Sequence, residues 1–184
     1  MSESLPPTFA AIDFETAHTE RDSACALAVI RVEGGAVVAR EVRLIQPPRR
    51  ERWMFTDIHG IQLSDVASAP RFGELWPTFA PLLEGVAFVA AHNAGFDRGV
   101  LGASLERVGL EPPEAPFLCT VRLARRVFDI FPTKLPLVCE ALRIPLQHHD
   151  PASDAEACAQ IVIQAAAAGG RLEPTHAPLG APRE

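Results

Sequence analysis

Asp13 and Glu15 stand two residues apart in Phe9-Ala10-Ala11-Ile12-Asp13-Phe14-Glu15, a run that is otherwise apolar. In an extended strand both carboxylates point to one face, with Ile12 and Phe14 on the other. Paired acids raise each other's pKa unless something positive sits between them, and a divalent cation is the usual remedy. A strand end emerging into solvent is the other way to seat the pair. Asp97 closes His92-Asn93-Ala94-Gly95-Phe96-Asp97, a strand-to-helix connection. There it complements the helix dipole or joins a ligand set. Asp154 lies on the stripe Asp154, Cys158, Ile161 or Val162, Ala165, at the head of a helical face that is otherwise buried. Caps for that helix are available in Asp150 before Pro151, or in Ser153 with Glu156 three residues on. Neither cap accounts for Asp154. His148 and His149 precede the helix, and a loop histidine beside four convergent acids becomes a candidate for moving protons. Oxygen ligands without a thiolate suit magnesium or manganese, not structural zinc.

The elements that must position these groups follow from the apolar patterning. Phe9 to Glu15, Ala24 to Val32 and Val37 to Ile45 read as three strands of an antiparallel meander, the last two joined at Gly34-Gly35. Phe72, Leu75, Trp76, Phe79, Leu82 and Leu83 fit a helical stripe interrupted by Pro77 and Pro81. Val86 to Ala91 reads as a short buried strand, and Val100, Leu101, Leu105 and Val108 recur at helical spacing after Phe96. Phe117 to Thr120 is a further strand leading into a helix through Val127, with helices expected near Leu137 to Leu142 and Pro151 to Ala168. A meander followed by alternating strands and helices is an α/β fold, with a mixed central sheet and flanking helices.

A chain of 184 residues is about one domain's worth, and 48% hydrophobic residues can bury a sizeable core. Residues 8–168 form the expected domain, with 1–7 and 169–184 as flexible tails. The net charge of −6 disfavours binding through a broad polycationic surface, so any nucleic-acid contact must be local or metal-assisted. Arg49, Arg50 and Arg52 beside Trp53, with Arg122, Arg125, Arg126 and Lys134, offer local phosphate contacts or are ordinary solvated surface. No apolar run approaches the ~20 residues of a membrane span, and the start lacks a signal peptide's pattern, so a cytoplasmic protein is expected. Cys25, Cys119, Cys139 and Cys158 are widely spaced among apolar neighbours and read as buried reduced thiols.

The ordered set Ala11-Ile12-Asp13-Phe14-Glu15-Thr16-Ala17, His92-Asn93-Ala94-Gly95-Phe96-Asp97 and His149-x-x-x-x-Asp154-Ala155-Glu156 resembles the DnaQ-like, or DEDDh, family of 3′–5′ exonucleases. The likeness runs from about Phe9 to Ala168. It implies an RNase H-like fold in which Asp13, Glu15, Asp97 and Asp154 hold two divalent cations, Mg2+ or Mn2+, and His149 is the general base. Phe14, Thr16, Asn93 and Phe96 match positions that line the terminal nucleotide in relatives. His59 and Ile61, within Phe55-Thr56-Asp57-Ile58-His59-Gly60-Ile61, match a stretch that packs against the same nucleotide, and a turn with two core isoleucines is the plainer account of it. Pro136 stands where many relatives have a serine, and Pro151 follows His149 closely, yet proline is tolerated in a first helical turn.

Two metal ions can activate a water on one side of a phosphodiester and stabilise the leaving oxygen on the other, with Asp13 the candidate bridge between them. The expected activity is release of nucleoside 5′-monophosphates from nucleic-acid 3′ ends, with single-stranded or frayed DNA favoured and a repair or proofreading setting expected. An exoribonuclease is a second reading, and a binding module of a polymerase or repair complex a third.

Overall fold

The computed structural model describes residues 5–48 and 53–181. Strands β1 (Phe9–Thr16), β2 (Ala24–Glu33) and β3 (Ala36–Leu44) form the expected meander. β4 (Val89–Ala91) and β5 (Phe117–Cys119) extend the sheet on the other side of β1, giving the order β3-β2-β1-β4-β5. β1 pairs antiparallel with β2 and parallel with β4, so the sheet is mixed, as the alternation of elements implied. The helices are α1 (Thr56–His59), α2 (Leu63–Val66), α3 (Phe72–Leu83), α4 (Gly95–Val108), α5 (Thr120–Phe128), α6 (Leu135–Leu142) and α7 (Pro151–Ala167).

Strand alternation divides the interior into two cores. Ala10, Ile12 and Phe14 of β1 pack with Phe72, Phe79 and Leu101 of α3 and α4. Phe9 and Ala11 pack with Leu123, Val138 and Cys158 of α5, α6 and α7. Asp13 and Glu15 continue this second row, so the face that buries apolar side chains at its start presents carboxylates at its end. Their cross-strand partners on β2 are Ala28 and Ala26, too small to fill the space between the acids.

Three expectations need adjustment. α3 is a continuous helix although Pro77 and Pro81 lie inside it. Both prolines are exposed and four residues apart, so the interrupted hydrogen bonds fall on the solvent side while Phe72, Leu75, Trp76, Phe79 and Leu83 hold the buried side. The short helix α1 lies in the stretch Phe55 to Ile61 whose plainer account is a turn, and a second short helix, α2, follows where the apolar pattern implies no element. Of the C-terminal segment expected to be loose, residues 169–184, the described part up to residue 181 packs against the domain. His176 exchanges backbone hydrogen bonds of 2.9 and 3.0 Å with Phe117, Arg98 donates to the carbonyls of Ala177 and Pro178, and Leu179 rests on the core. β5 is an edge strand with unpaired backbone groups, and this segment supplies their partners. The four cysteines are free and buried, as expected. Among the described residues no helix is long and apolar enough to cross a membrane.

Candidate active site

Asp13, Glu15, Asp97 and Asp154 line one cavity of about 640 Å³. It opens at the C-terminal ends of β1 and β4, with α4 and α7 alongside. The wide sequence gaps between the four acids close because β1, β4 and α7 are packed neighbours. Each carboxyl is held in a more protonated state than usual. For Asp13 the cause is burial first, then the charges of Asp97, Glu15, Asp154 and Asp150. Glu15 is pushed up to about 8 by burial, then by Asp154 and Asp97. Burial pushes Asp97 up to about 7, against a hydrogen bond from the Phe14 N–H at 3.0 Å and the positive charge of Arg21. Asp154 is raised by burial and lowered in part by its histidine neighbours.

Asp154 Oδ2 accepts from the His148 ring at Nδ1, 2.9 Å away, and from the His149 backbone N–H at 3.2 Å. Its other oxygen, Oδ1, is buried with no hydrogen-bond partner. An orphaned carboxylate oxygen beside three further acids fits a hard divalent cation. The ring nitrogens of His148 and His149 also lie within 4.8 Å of that carboxylate, so a nitrogen-containing set is present at the cavity's edge. Only the carboxylate set has the excess negative charge that favours a doubly charged ion without nitrogen ligands.

The two histidines are used differently. Both histidines line the cavity, but His148 spends a ring nitrogen on Asp154, whereas His149 is fixed to it through its backbone N–H, in the left-handed region at φ 70°. The rings stack with centroids 3.8 Å apart. Burial and the charge of His148 lower the His149 pKa, while Asp154 raises it, so a neutral imidazole able to accept a proton is favoured near neutral pH. Asp150 turns out to cap α7, accepting from the N–H groups of Ala152 and Ser153, and Glu156 is occupied with Arg40 at 2.8 Å. Asp154 is thus freed from capping, as its place on the buried stripe suggested. Pro136 and Pro151 sit in the first turns of α6 and α7 without disrupting either.

Of the expected nucleotide-lining residues, Phe14, Thr16, His59, Asn93 and Phe96 reach the cavity. Ile61 does not. It packs with Trp53 against Ala17, Cys25 and Val66. In its place Phe55 and Ile58 line the wall, and Ile58 is 50% exposed rather than core. Positions 55, 58 and 59 share one face of a helical turn, and Gly60 in the left-handed conformation at φ 73° then redirects the chain. That spacing was the available signal. The His59 ring is locked, with Nε2 donating to the Thr16 carbonyl at 3.2 Å and Nδ1 accepting from the Ile61 N–H at 3.1 Å. Lys134 lines the cavity, whereas Arg122, Arg125 and Arg126 lie outside its wall. Arg49, Arg50 and Arg52 fall outside the described residues.

Sequence reasoning also missed a clamp on α4. Arg21, in the turn after β1, donates from Nη1 to the carbonyls of Gly95 and Phe96 at 3.2 and 2.8 Å, and its guanidinium sits 5.7 Å from the Phe96 ring centroid. A Cβ on Gly99 would fall 2.7 Å from the Arg21 Cζ, so glycine makes the notch in which the arginine lies.

A family model described as Exonuclease, of the RNase T type, matches residues 10–162. The PolC-type DNA polymerase III of Bacillus cereus is 29% identical over 161 residues, covering 85% of this chain but 11% of the polymerase. That of Thermotoga maritima is 29% identical over 160 residues, covering 85% of this chain and 12% of the polymerase. The chain therefore spans about a tenth of the length of these relatives. Among solved structures, Exonuclease X in complex with 5′ overhanging duplex DNA superposes with a TM-score of 0.72 at 24% identity, covering 91% of this chain and 97% of that one. The nuclease domain of 3′hExo, a DEDDh family member bound to rAMP, superposes with a TM-score of 0.80 at 14% identity, covering 96% and 100%. These likenesses show the RNase H-like fold.

Proposed function

Since the chain belongs to the RNase T exonuclease family, within its DnaQ-like, DEDDh branch, we propose that it removes nucleotides one at a time from DNA 3′ ends and releases nucleoside 5′-monophosphates. The observation that carries this reading is the convergence of Asp13, Glu15, Asp97 and Asp154 on one cavity that His149 also lines, its ring making no hydrogen bond among the described residues. DNA as substrate is supported by the 29% identity to PolC-type DNA polymerases, which also suggests a proofreading or repair setting.

The four carboxylates would hold two divalent ions, Mg2+ or Mn2+, which when bound supply the Lewis acidity for phosphodiester hydrolysis. Asp13, central among the acids, is the candidate to bridge the ions. Burial readies the residues for that charge, because raised pKa values mark carboxylates that gain from a cation. His149 accepts the proton of the attacking water, and His148 holds Asp154 in place for its share of the load. Phe14, Thr16, Asn93, Phe96 and His59, together with Phe55 and Ile58, would seat the terminal nucleotide, and Lys134 meets a phosphate. Labelled DNA and RNA strands, each with one end blocked in turn, test this reading in magnesium and in manganese. Stepwise shortening from a free DNA 3′ end, stopped by EDTA, is expected. Release from the 5′ end, turnover after exhaustive chelation, or faster cleavage of RNA would overturn the corresponding part.

A further inference from the structure

Phe131, in the loop between α5 and α6, is 80% exposed, more than any other large hydrophobic side chain among the described residues. The Arg125 guanidinium lies over it, 5.6 Å from the ring centroid. Arg125 is fixed independently, since its Nε donates to Thr133 Oγ1 at 2.6 Å. One flank of the ring is covered by a cation and the rest meets solvent. The terminal nitrogens of Arg125 make no hydrogen bond or ion pair among the described residues, although neighbouring Arg126 pairs with Glu173. In a chain of net charge −6, an unpaired cation over an exposed aromatic ring is the composition of a single-strand stacking platform.

The loop also ties this pair to the cavity. The Thr133 carbonyl accepts from His92 Nε2 at 2.9 Å, and the next residue, Lys134, lines the cavity wall beside His92. Phe131 and Lys134 are three positions apart in the chain, so their Cα atoms are within about 11 Å. A strand whose 3′ end is seated among the carboxylates can reach that far with the second nucleotide upstream of its terminal one, which a dinucleotide lacks. We infer that Phe131 and Arg125 form an upstream subsite, in which a nucleobase of the substrate strand stacks on the Phe131 ring while Arg125 meets the adjoining phosphate. This inference rests on the exonuclease reading above and adds a contact that the terminal nucleotide does not make.

The test compares a dinucleotide, too short to reach Phe131, with a ten-nucleotide single strand. For Phe131→Ala, KM on the long strand is expected to rise roughly 10-fold, the scale of one lost base–aromatic stack, with kcat and dinucleotide turnover unchanged. Phe131→Trp should restore the wild-type KM and Phe131→Leu should not, which separates stacking from mere apolar contact. Arg125→Ala should reduce the salt dependence of long-strand binding by about one phosphate contact. Equal losses on both substrates, a wild-type KM in Phe131→Ala, or full rescue by leucine would overturn the subsite. Anisotropy of a labelled ten-nucleotide strand, read with calcium present, reports the same contact without catalysis. If wild-type protein cleaves neither substrate, the exonuclease reading fails, while the anisotropy difference between wild type and Phe131→Ala still decides the subsite.

Discussion

The two ends of the sheet carry clefts of comparable size and comparable acidity. At the C-terminal ends of β1 and β4 the cavity of about 640 Å³ gathers Asp13, Glu15, Asp97 and Asp154. Near the starts of β4 and β5 a second cavity, about 580 Å³, is bordered by Glu84, Glu111 and Glu114 around Trp76 and a run of prolines. In the second cleft all three glutamates are exposed, so water solvates each charge and nothing else is required. In the first, Asp97 and Asp154 are 2% and 4% exposed, and the acids load one another. Acid count does not distinguish the two ends. What does is whether the charges have been withdrawn from water and turned toward each other.

The sharpest way to break this contrast is to remove an acid from the first cleft. Asp13→Ala or Asp154→Ala should abolish hydrolysis, while the metal-free melting temperature is unchanged or slightly raised because repulsion is relieved. Near-normal turnover with metal present would place the chemistry elsewhere. His149→Ala should lower kcat by roughly 10²–10⁴-fold with metal affinity nearly intact. His148→Ala should cost much less, although its ring is the one bonded to Asp154; equal losses, or a larger one at His148, would reverse the assignment of the base. Next in size is the response to metal. Divalent ion at ~100 times its Kd should stabilise the folded chain by about 2.7 kcal/mol, and calorimetry with and without EDTA reads it directly.

The same contrast has a pH signature. Glu15 is raised from its usual 4.5 to about 8, and Asp97 from 3.8 to about 7, so the folded chain holds these protons more tightly than the unfolded one. Their contribution to stability is complete below about pH 4 and is lost as pH rises through 7 to 8. Metal-free protein should therefore melt at lower temperature as pH rises over that window, and saturating divalent ion should flatten the slope. An unchanged slope in Glu15→Gln would remove that residue from the account. The smallest effect is reserved for the other end: Glu84→Gln, Glu111→Gln and Glu114→Gln together should leave turnover unaltered and shift stability by no more than ~0.5 kcal/mol each.

Much of this was readable in the residues because burial leaves a pattern. Alternation along β1 set two faces, and acids that violate an apolar pattern, as Asp13, Glu15 and Asp154 do, stand out without a structure. The cap at Asp150 was one of two readings, and only the hydrogen bonds to Ala152 and Ser153 separate it from Ser153 with Glu156. Ile61 was placed in the cavity because adjacency in sequence says nothing of where a left-handed glycine sends the chain. The C-terminal segment looked loose because its stabilisation comes from Phe117 and Arg98, far back in the sequence, and from no periodicity of its own. The Arg21 clamp was hidden for the same reason, its partners lying 74 and 75 residues away.

That clamp bears on how this chain could be engineered. Gly99 is a mid-helix glycine, the position at which replacement by alanine is ordinarily worth up to ~1 kcal/mol in helix propensity. Here the added methyl would collide with the far end of a flexible arginine, which can swing away at little cost to the fold. A stabilisation screen would therefore keep the substitution, while the carbonyls of Gly95 and Phe96 would lose their guanidinium and Phe96 its lid. If Phe96 seats the terminal nucleotide as proposed, thermal tolerance and substrate grip would be set against each other at this one position, and a library ranked on melting temperature alone would drift away from function there.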